Sequence, residues 1–145
     1  LNPIGHDTSA AIMCKGEIIG ACEQERYTGD KHSRKFPIDA IQDCLKIAKI
    51  NLSDIDLISV PWDPMLMIRE YYLKPATKND ARFNFLKNDF NKVNELFHLE
   101  HNIRQELNFN KKINFYNHHE CHLASSFYSS GFKDPLIVSY DELVK

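Results

Sequence analysis

At 145 residues the chain is one domain or a piece of a larger one, and its 43% hydrophobic and 26% charged content rules out a disordered tail. With a net charge of −2, and no basic run longer than Lys31-His32-Ser33-Arg34-Lys35, there is no basis for a nucleic-acid face. No apolar run approaches the ~18 residues of a membrane span, and the polar N-terminus, which reaches Gly5-His6-Asp7 almost at once, is not a signal peptide.

The four cysteines, Cys14, Cys22, Cys44 and Cys121, form no C-x-x-C pair, which argues against a cysteine zinc site. Cys14, Cys22 and Cys44 lie in apolar patterns and are expected to be small buried residues in a reducing, cytoplasmic setting. The chain opens on Leu1 and ends at Lys145, just past a strand end, and reads as a piece of a longer protein.

Residues 10–22 read as a β-hairpin: Ala11-Ile12-Met13-Cys14, a turn at Lys15-Gly16-Glu17, and a return over Ile18 to Cys22. The charged residues 23–35 should form a loop or an irregular strand extension. Phe36-Pro37 opens a helix, with Ala40, Ile41, Cys44, Leu45 and Ala48 on one face and Asn51 at its end. Residues 55–60 form a strand stopped by Pro61 and Pro64. Residues 65–107 are mostly helical with a break near Pro75. There Phe83, Leu86, Phe90, Val93, Leu96 and Phe97 recur at helical intervals, as core residues do. A short strand at residues 113–116 is followed by Asn117 as an N-cap, with Glu120 completing a capping-box pattern. The next helix runs from His118 to about Ser129. Pro135-Leu136-Ile137-Val138-Ser139-Tyr140 reads as a last strand with Asp141 at its C-terminal end. The order predicts an α/β fold with some antiparallel pairing.

The sharpest chemical signal is His118-His119-Glu120-Cys121-His122. On a helix, residues four apart share a face, so His118 and His122 can present two imidazoles to one metal ion, while His119 points elsewhere. Asp141 is the best local third ligand. Two histidines and a carboxylate with open positions suit divalent iron, and also zinc or manganese. Solvated histidines at a surface helix start are the bland alternative.

The turn Gly5-His6-Asp7-Thr8-Ser9-Ala10-Ala11 can offer backbone N–H groups and hydroxyls to an anion, and the His6 imidazole is a plausible general base. Alternatively it is simply a capped turn entering a strand. In the charged stretch, Arg26 and Lys31 can clamp a carboxylate or phosphoryl group, or belong to a solvated loop.

Taken together, these motifs resemble the opening of the O-carbamoyltransferase family that includes the nodulation-factor and aminoglycoside carbamoylating enzymes. That family shows a G-H-D-x-S-A-A turn, a hairpin, an E-E-R-x-T segment, K-H, F-P before a helix, and later H-H-x-x-H-A-x-S. Here those places hold Gly5 to Ala11, Glu25-Arg26-Tyr27-Thr28, Lys31-His32, Phe36-Pro37, and His118-His119-Glu120-Cys121-His122-Leu123-Ala124-Ser125-Ser126. Two places depart from the pattern. Gln24 stands where E-E-R has its first Glu. Asp141-Glu142-Leu143-Val144-Lys145 stands where the family has a D-G-x-G phosphate turn, with Glu142 replacing a glycine.

The resemblance implies an actin-like ATPase (RNase H-like) lobe, a mixed sheet with flanking helices, here incomplete. Residues 1–145 would be the N-terminal lobe, with a helical insertion over about 65–107. It implies carbamoyl transfer from carbamoyl phosphate, through a carbamoyl-adenylate made with ATP, to a hydroxyl of a sugar-like acceptor. His118, His122 and Asp141 would hold an iron-type metal, and His6 and Lys31 would be catalytic. Asp7, Ser9, Arg26, His32 and His119 would contact substrates. The competing expectations are a catalytically inactive metal- or ligand-binding lobe acting through a partner or as a homodimer, and a metal hydrolase built on His118, His122 and Asp141.

Overall fold

A computed structural model describes residues 1–139; Asp141, the third metal ligand expected from sequence, lies outside them. β1 (Ser9–Cys14) and β2 (Glu17–Glu23) form the expected antiparallel hairpin, with Ala10 opposite Cys22 and Cys14 opposite Glu17. Its two-residue turn has Lys15 at φ 52° and Gly16 at φ 85°, the pair of positive values that matches strand twist in tight hairpins. Cys14 beside this turn is exposed, and only Cys44 of the four cysteines is buried. A hairpin end projects beyond the helix that covers the ribbon, so Cys14 has nothing to bury against.

The charged stretch after β2 is more ordered than expected. It begins with a single helical turn, α1 (Glu25–Thr28), closed by Gly29 in the left-handed region. α2 (Ile38–Ala48) packs Ala40, Ile41 and Cys44 against the hairpin. It closes earlier than Asn51: Lys49 adopts the left-handed cap, and Asn51 instead caps a 3₁₀ turn at Leu52–Asp54 through a reciprocal box with Asp54.

Gln24 explains how α2 is started. Only 2% exposed, its Oε1 accepts from the Ala40 backbone N–H at 3.2 Å while its Nε2 donates to Asp39 Oδ2 at 2.6 Å. A helix start has orphan N–H groups, and Pro37 has no side-chain oxygen to supply; the Gln24 amide does so from the turn between β2 and α1. A Glu here would keep the acceptor but lose the donor and set two carboxylates together. Gln24→Glu should therefore destabilise the fold by about 1–3 kcal/mol, read from urea denaturation near neutral pH.

β3 (Leu57–Val60) and β4 (Lys112–Phe115) pair in parallel, in register from Leu57 opposite Lys112 to Val60 opposite Phe115. The strands thus form two two-stranded sheets among the described residues, where one mixed sheet was expected. Pro135–Ser139 is not a strand, and Leu136 and Val138 are exposed. A strand exists only through a ladder partner, and among the described residues this run has none.

Between β3 and β4 the chain is helical. α3 (Pro64–Met67) widens into a π-helical stretch, Ile68–Leu73, before α4 (Lys74–Ala76). Pro75 has no N–H and its ring crowds the preceding turn, so the helix opens ahead of it and ends at Thr77. α5 (Asp80–Asn88), α6 (Phe90–Phe97) and α7 (Leu99–Leu107) follow. Leu99, Ile103 and Leu107 of α7 enter the main core with Ile58 and Val60. Leu96 packs in a smaller cluster with Ile68 and Tyr72, flanked by Leu86 and Val93. Phe83, Phe90 and Phe97, expected in the core, are exposed: breaks at Asp89 and His98 divide the run into short helices, so one continuous apolar stripe does not form. α8 (His118–Ser130) follows β4 directly. No helix of the described residues is long and apolar enough to cross a membrane.

Candidate active site

Parallel strands leave a crevice at their carboxyl ends, where α/β proteins bind ligands. Here β3 delivers Pro61-Trp62 to that edge and β4 delivers Asn117 and α8. The Tyr116 N–H donates to the Val60 carbonyl at 3.0 Å and holds the two exits side by side. The Asn117 side chain accepts from the His119 N–H at 2.9 Å, starting α8 at its first histidine. The reciprocal bond from Glu120 is absent among the described residues.

His118 and His122 converge as their spacing predicts, Nε2 to Nε2 at 2.9 Å with ring centroids 4.3 Å apart. His118 Nδ1 faces the Pro61 carbonyl at 3.3 Å, which assigns its N–H to Nδ1 and turns the Nε2 lone pair toward His122. Its ring stacks on Trp62, centroids 3.7 Å apart and planes 11° apart. This is a suitable donor set for a metal. Two imidazole nitrogens meet at one point, and a backbone carbonyl orients one ring, as such carbonyls do for ligating histidines. Among the described residues no third His, Cys, Asp or Glu joins them. His119 turns away, its Nδ1 3.4 Å from Ser139 Oγ.

The second histidine group lies at the turn before β1. Asp7 Oδ2 is 3.1 Å from His6 Nδ1, and Asp7 Oδ1 is 2.8 Å from His32 Nδ1. His32 also donates its backbone N–H to Glu25 Oε2 at 3.1 Å. Asp7, Glu25 and His32 bring ligand atoms within 4.8 Å of one another, but these hydrogen bonds already use them without a cation. The hydrogen bonds from His32 and His6 hold the Asp7 carboxyl below its ordinary value, and Asp7 in turn raises His32. The signs fix a window. Asp7, depressed on folding, contributes stability above its unfolded value that is lost on acidification. His32, raised on folding, contributes below its unfolded value and loses it as pH climbs through the folded value. The bridge should therefore contribute most between pH ~4 and ~6.5. The difference in Tm between the native protein and Asp7→Asn should be largest there and shrink on both sides.

Ser9 and Arg26 line a separate cleft of about 590 Å³, with Cys22, Tyr27 and Pro61 also in its wall. Arg26 is exposed and pairs with Glu23 at 3.5 Å, and Lys31 is exposed on the adjoining loop. The expected residues thus fall into three neighbouring groups: His6 with Asp7 and His32, Ser9 with Arg26, and His118 with His122.

Two residues not singled out from sequence join the groups. Trp62 donates from Nε1 to Asn2 Oδ1 at 3.0 Å, and Asn2 Nδ2 donates to the Asp7 carbonyl at 3.0 Å. The Trp62 ring under His118 is therefore tied to the backbone of the turn that carries His6. The available signal was a single tryptophan at a strand exit flanked by two prolines. Trp62→Ala should cost about 2 kcal/mol of stability, less than a fully buried ring would because Trp62 is half-buried. A metal held by His118 and His122, as the sequence leads one to expect, should bind ~10-fold or more weakly in this variant. Thermal denaturation and metal titration check the two effects.

Fold and site define an α/β lobe with a histidine pair at the carboxyl ends of parallel strands. The family model described as Carbamoyltransferase N-terminus matches residues 2–141, and the chain belongs to that family. It is 32% identical over 146 residues to Nodulation protein NolNO of Sinorhizobium fredii, covering 97% of this chain and 20% of that protein. It is 29% identical over 147 residues to Uncharacterized protein sll1178 of Synechocystis, covering 94% of this chain and 24% of that one. Uncharacterized protein MJ1051 of Methanocaldococcus jannaschii is 26% identical over 137 residues, with 94% and 20% covered. The chain spans about a fifth to a quarter of the length of these relatives.

Proposed function

We propose that this chain is the N-terminal lobe of an O-carbamoyltransferase. It moves a carbamoyl group from a carbamoyl-adenylate, made from carbamoyl phosphate and ATP, to a hydroxyl of a sugar-like acceptor. The observation that carries this reading is that the family match over residues 2–141 takes in both histidine groups. In the same reading the lobe has actin-like ATPase architecture and the helices of residues 65–107 are an insertion over its sheet.

His118 and His122, with Asp141, would hold a divalent metal, iron first. When bound, such an ion anchors and polarises donor oxygens. The chain's own groups do the rest. His6 takes the acceptor hydroxyl proton at Nε2 as the acceptor oxygen bonds to the carbamoyl carbon. The bond from that carbon to the adenylate oxygen breaks, and its electron pair leaves with AMP. Lys31 brings positive charge to the developing oxyanion. Arg26 and Ser9, in their shared cleft, are suited to hold an anionic part of the donor.

The test supplies the whole protein with radiolabelled carbamoyl phosphate, ATP and a panel of hydroxyl-bearing sugars. ATP-dependent transfer of label to a sugar is expected. No label on any acceptor, and none on AMP, would overturn the reading.

A further inference from the structure

We infer that Asp7 is a positioning residue that clamps His6 and His32 by their Nδ1 atoms, so that both rings turn Nε2 outward and His32 joins His6 as a second imidazole of the reaction. This rests on the proposed function, since it deepens the role given there to His6.

An ionised carboxylate only accepts hydrogen bonds. With one oxygen 3.1 Å from His6 Nδ1 and the other 2.8 Å from His32 Nδ1, Asp7 requires a proton on both Nδ1 atoms. In the neutral rings each Nε2 is then the free lone pair. The ring centroids lie 6.5 Å apart and the planes 80° apart, so the rings meet edge to face instead of stacking.

The backbone builds this meeting. Thr8, fully buried next to Asp7, donates its single hydroxyl hydrogen from Oγ1 to the Lys35 carbonyl at 2.7 Å, with the Ser33 carbonyl also 3.3 Å away. The Thr8 N–H also reaches the Ser33 carbonyl at 3.3 Å. The His32 loop is thereby stitched to the turn of His6 from beneath, and Asn2 fixes the Asp7 carbonyl from the other side. Asp7 and His32 both have left-handed backbone, φ 62° and 58°, which Asp, Asn and His tolerate better than most residues. The further charge facing the cluster is Glu25, which accepts the His32 backbone N–H. Asp7 therefore places one carboxylate oxygen on each histidine.

The experiment uses the whole protein, with long-range proton–nitrogen NMR of its histidine side chains and steady-state kinetics. In the native protein both His6 and His32 should carry their neutral-form proton on Nδ1. Asp7→Asn keeps the shape and suits the left-handed backbone, but its amide has one acceptor, so one ring should switch to the Nε2–H form. With it kcat should fall on the order of 100-fold or more while the acceptor KM stays within about twofold, and Asp7→Glu should recover part of the loss. An Nε2–H ring in the native protein, or native kcat in Asp7→Asn, overturns the inference. His6→Ala separates the two ideas: an active His6→Ala enzyme sinks the role of His6, while the native tautomers still decide what Asp7 does.

Discussion

If His118 and His122 hold the proposed metal, replacing either with alanine should strip it from the whole protein and lower the proposed carbamoyl transfer by more than ~100-fold. Loss of a residue that merely orients a ligand commonly costs 10–100-fold in metal affinity or activity, and removing a ligand costs more. The pair is well prepared for the task. Its Nε2 atoms sit 2.9 Å apart, and His118 is held on one edge by the Pro61 carbonyl and on one face by Trp62. The helical spacing alone would leave both rings free to choose rotamers, whereas these contacts leave His118 little choice. His119→Ala is the contrast, because its Nδ1 faces Ser139; that variant should keep its metal. Elemental analysis of the purified variants alongside transfer rates checks both. A His122→Ala protein that retains full metal content would place the ion elsewhere.

His6→Ala should reduce kcat by ~10²–10⁴-fold, the usual range for a lost general acid or base, without reducing metal content. His6 is 69% exposed at its side chain and touches only Asp7 and the edge of the His32 ring among the described residues, so its removal should leave Tm within a degree or two of native. That combination distinguishes a group doing proton transfer from one holding the fold. Imidazole added to the variant should return part of the rate if the missing group is a base.

Much of this was legible in the chain because the signals are local. Lys15-Gly16 announces a tight turn, the spacing from Ala40 to Cys44 announces the buried face of α2, and Asn117 announces the start of α8. The i, i+4 spacing of His118 and His122 is likewise local, and it holds. Long-range arrangements were not legible. Asn2 and Trp62 are 60 residues apart and meet only because the N-terminus lies along β3, where the Leu1 amino group donates to the Ser59 carbonyl. Gln24 looked like a simple departure from a family pattern until its contacts with Asp39 and Ala40 were visible. Helical periodicity placed Phe83, Phe90 and Phe97 on a stripe, but periodicity does not say whether another element covers that stripe. The same limit applies to Leu136 and Val138, whose alternation is strand-like while pairing is what makes a strand.

In the proposed site two imidazoles one helical turn apart share one cation. Anomalous diffraction at the iron edge, from crystals of the whole protein grown with ferrous iron, tests it most directly. One strong peak is expected about 2 Å from the Nε2 atoms of both His118 and His122, as metal–imidazole bonds require. A peak bound elsewhere, or the two rings facing different directions around no peak, would contradict it.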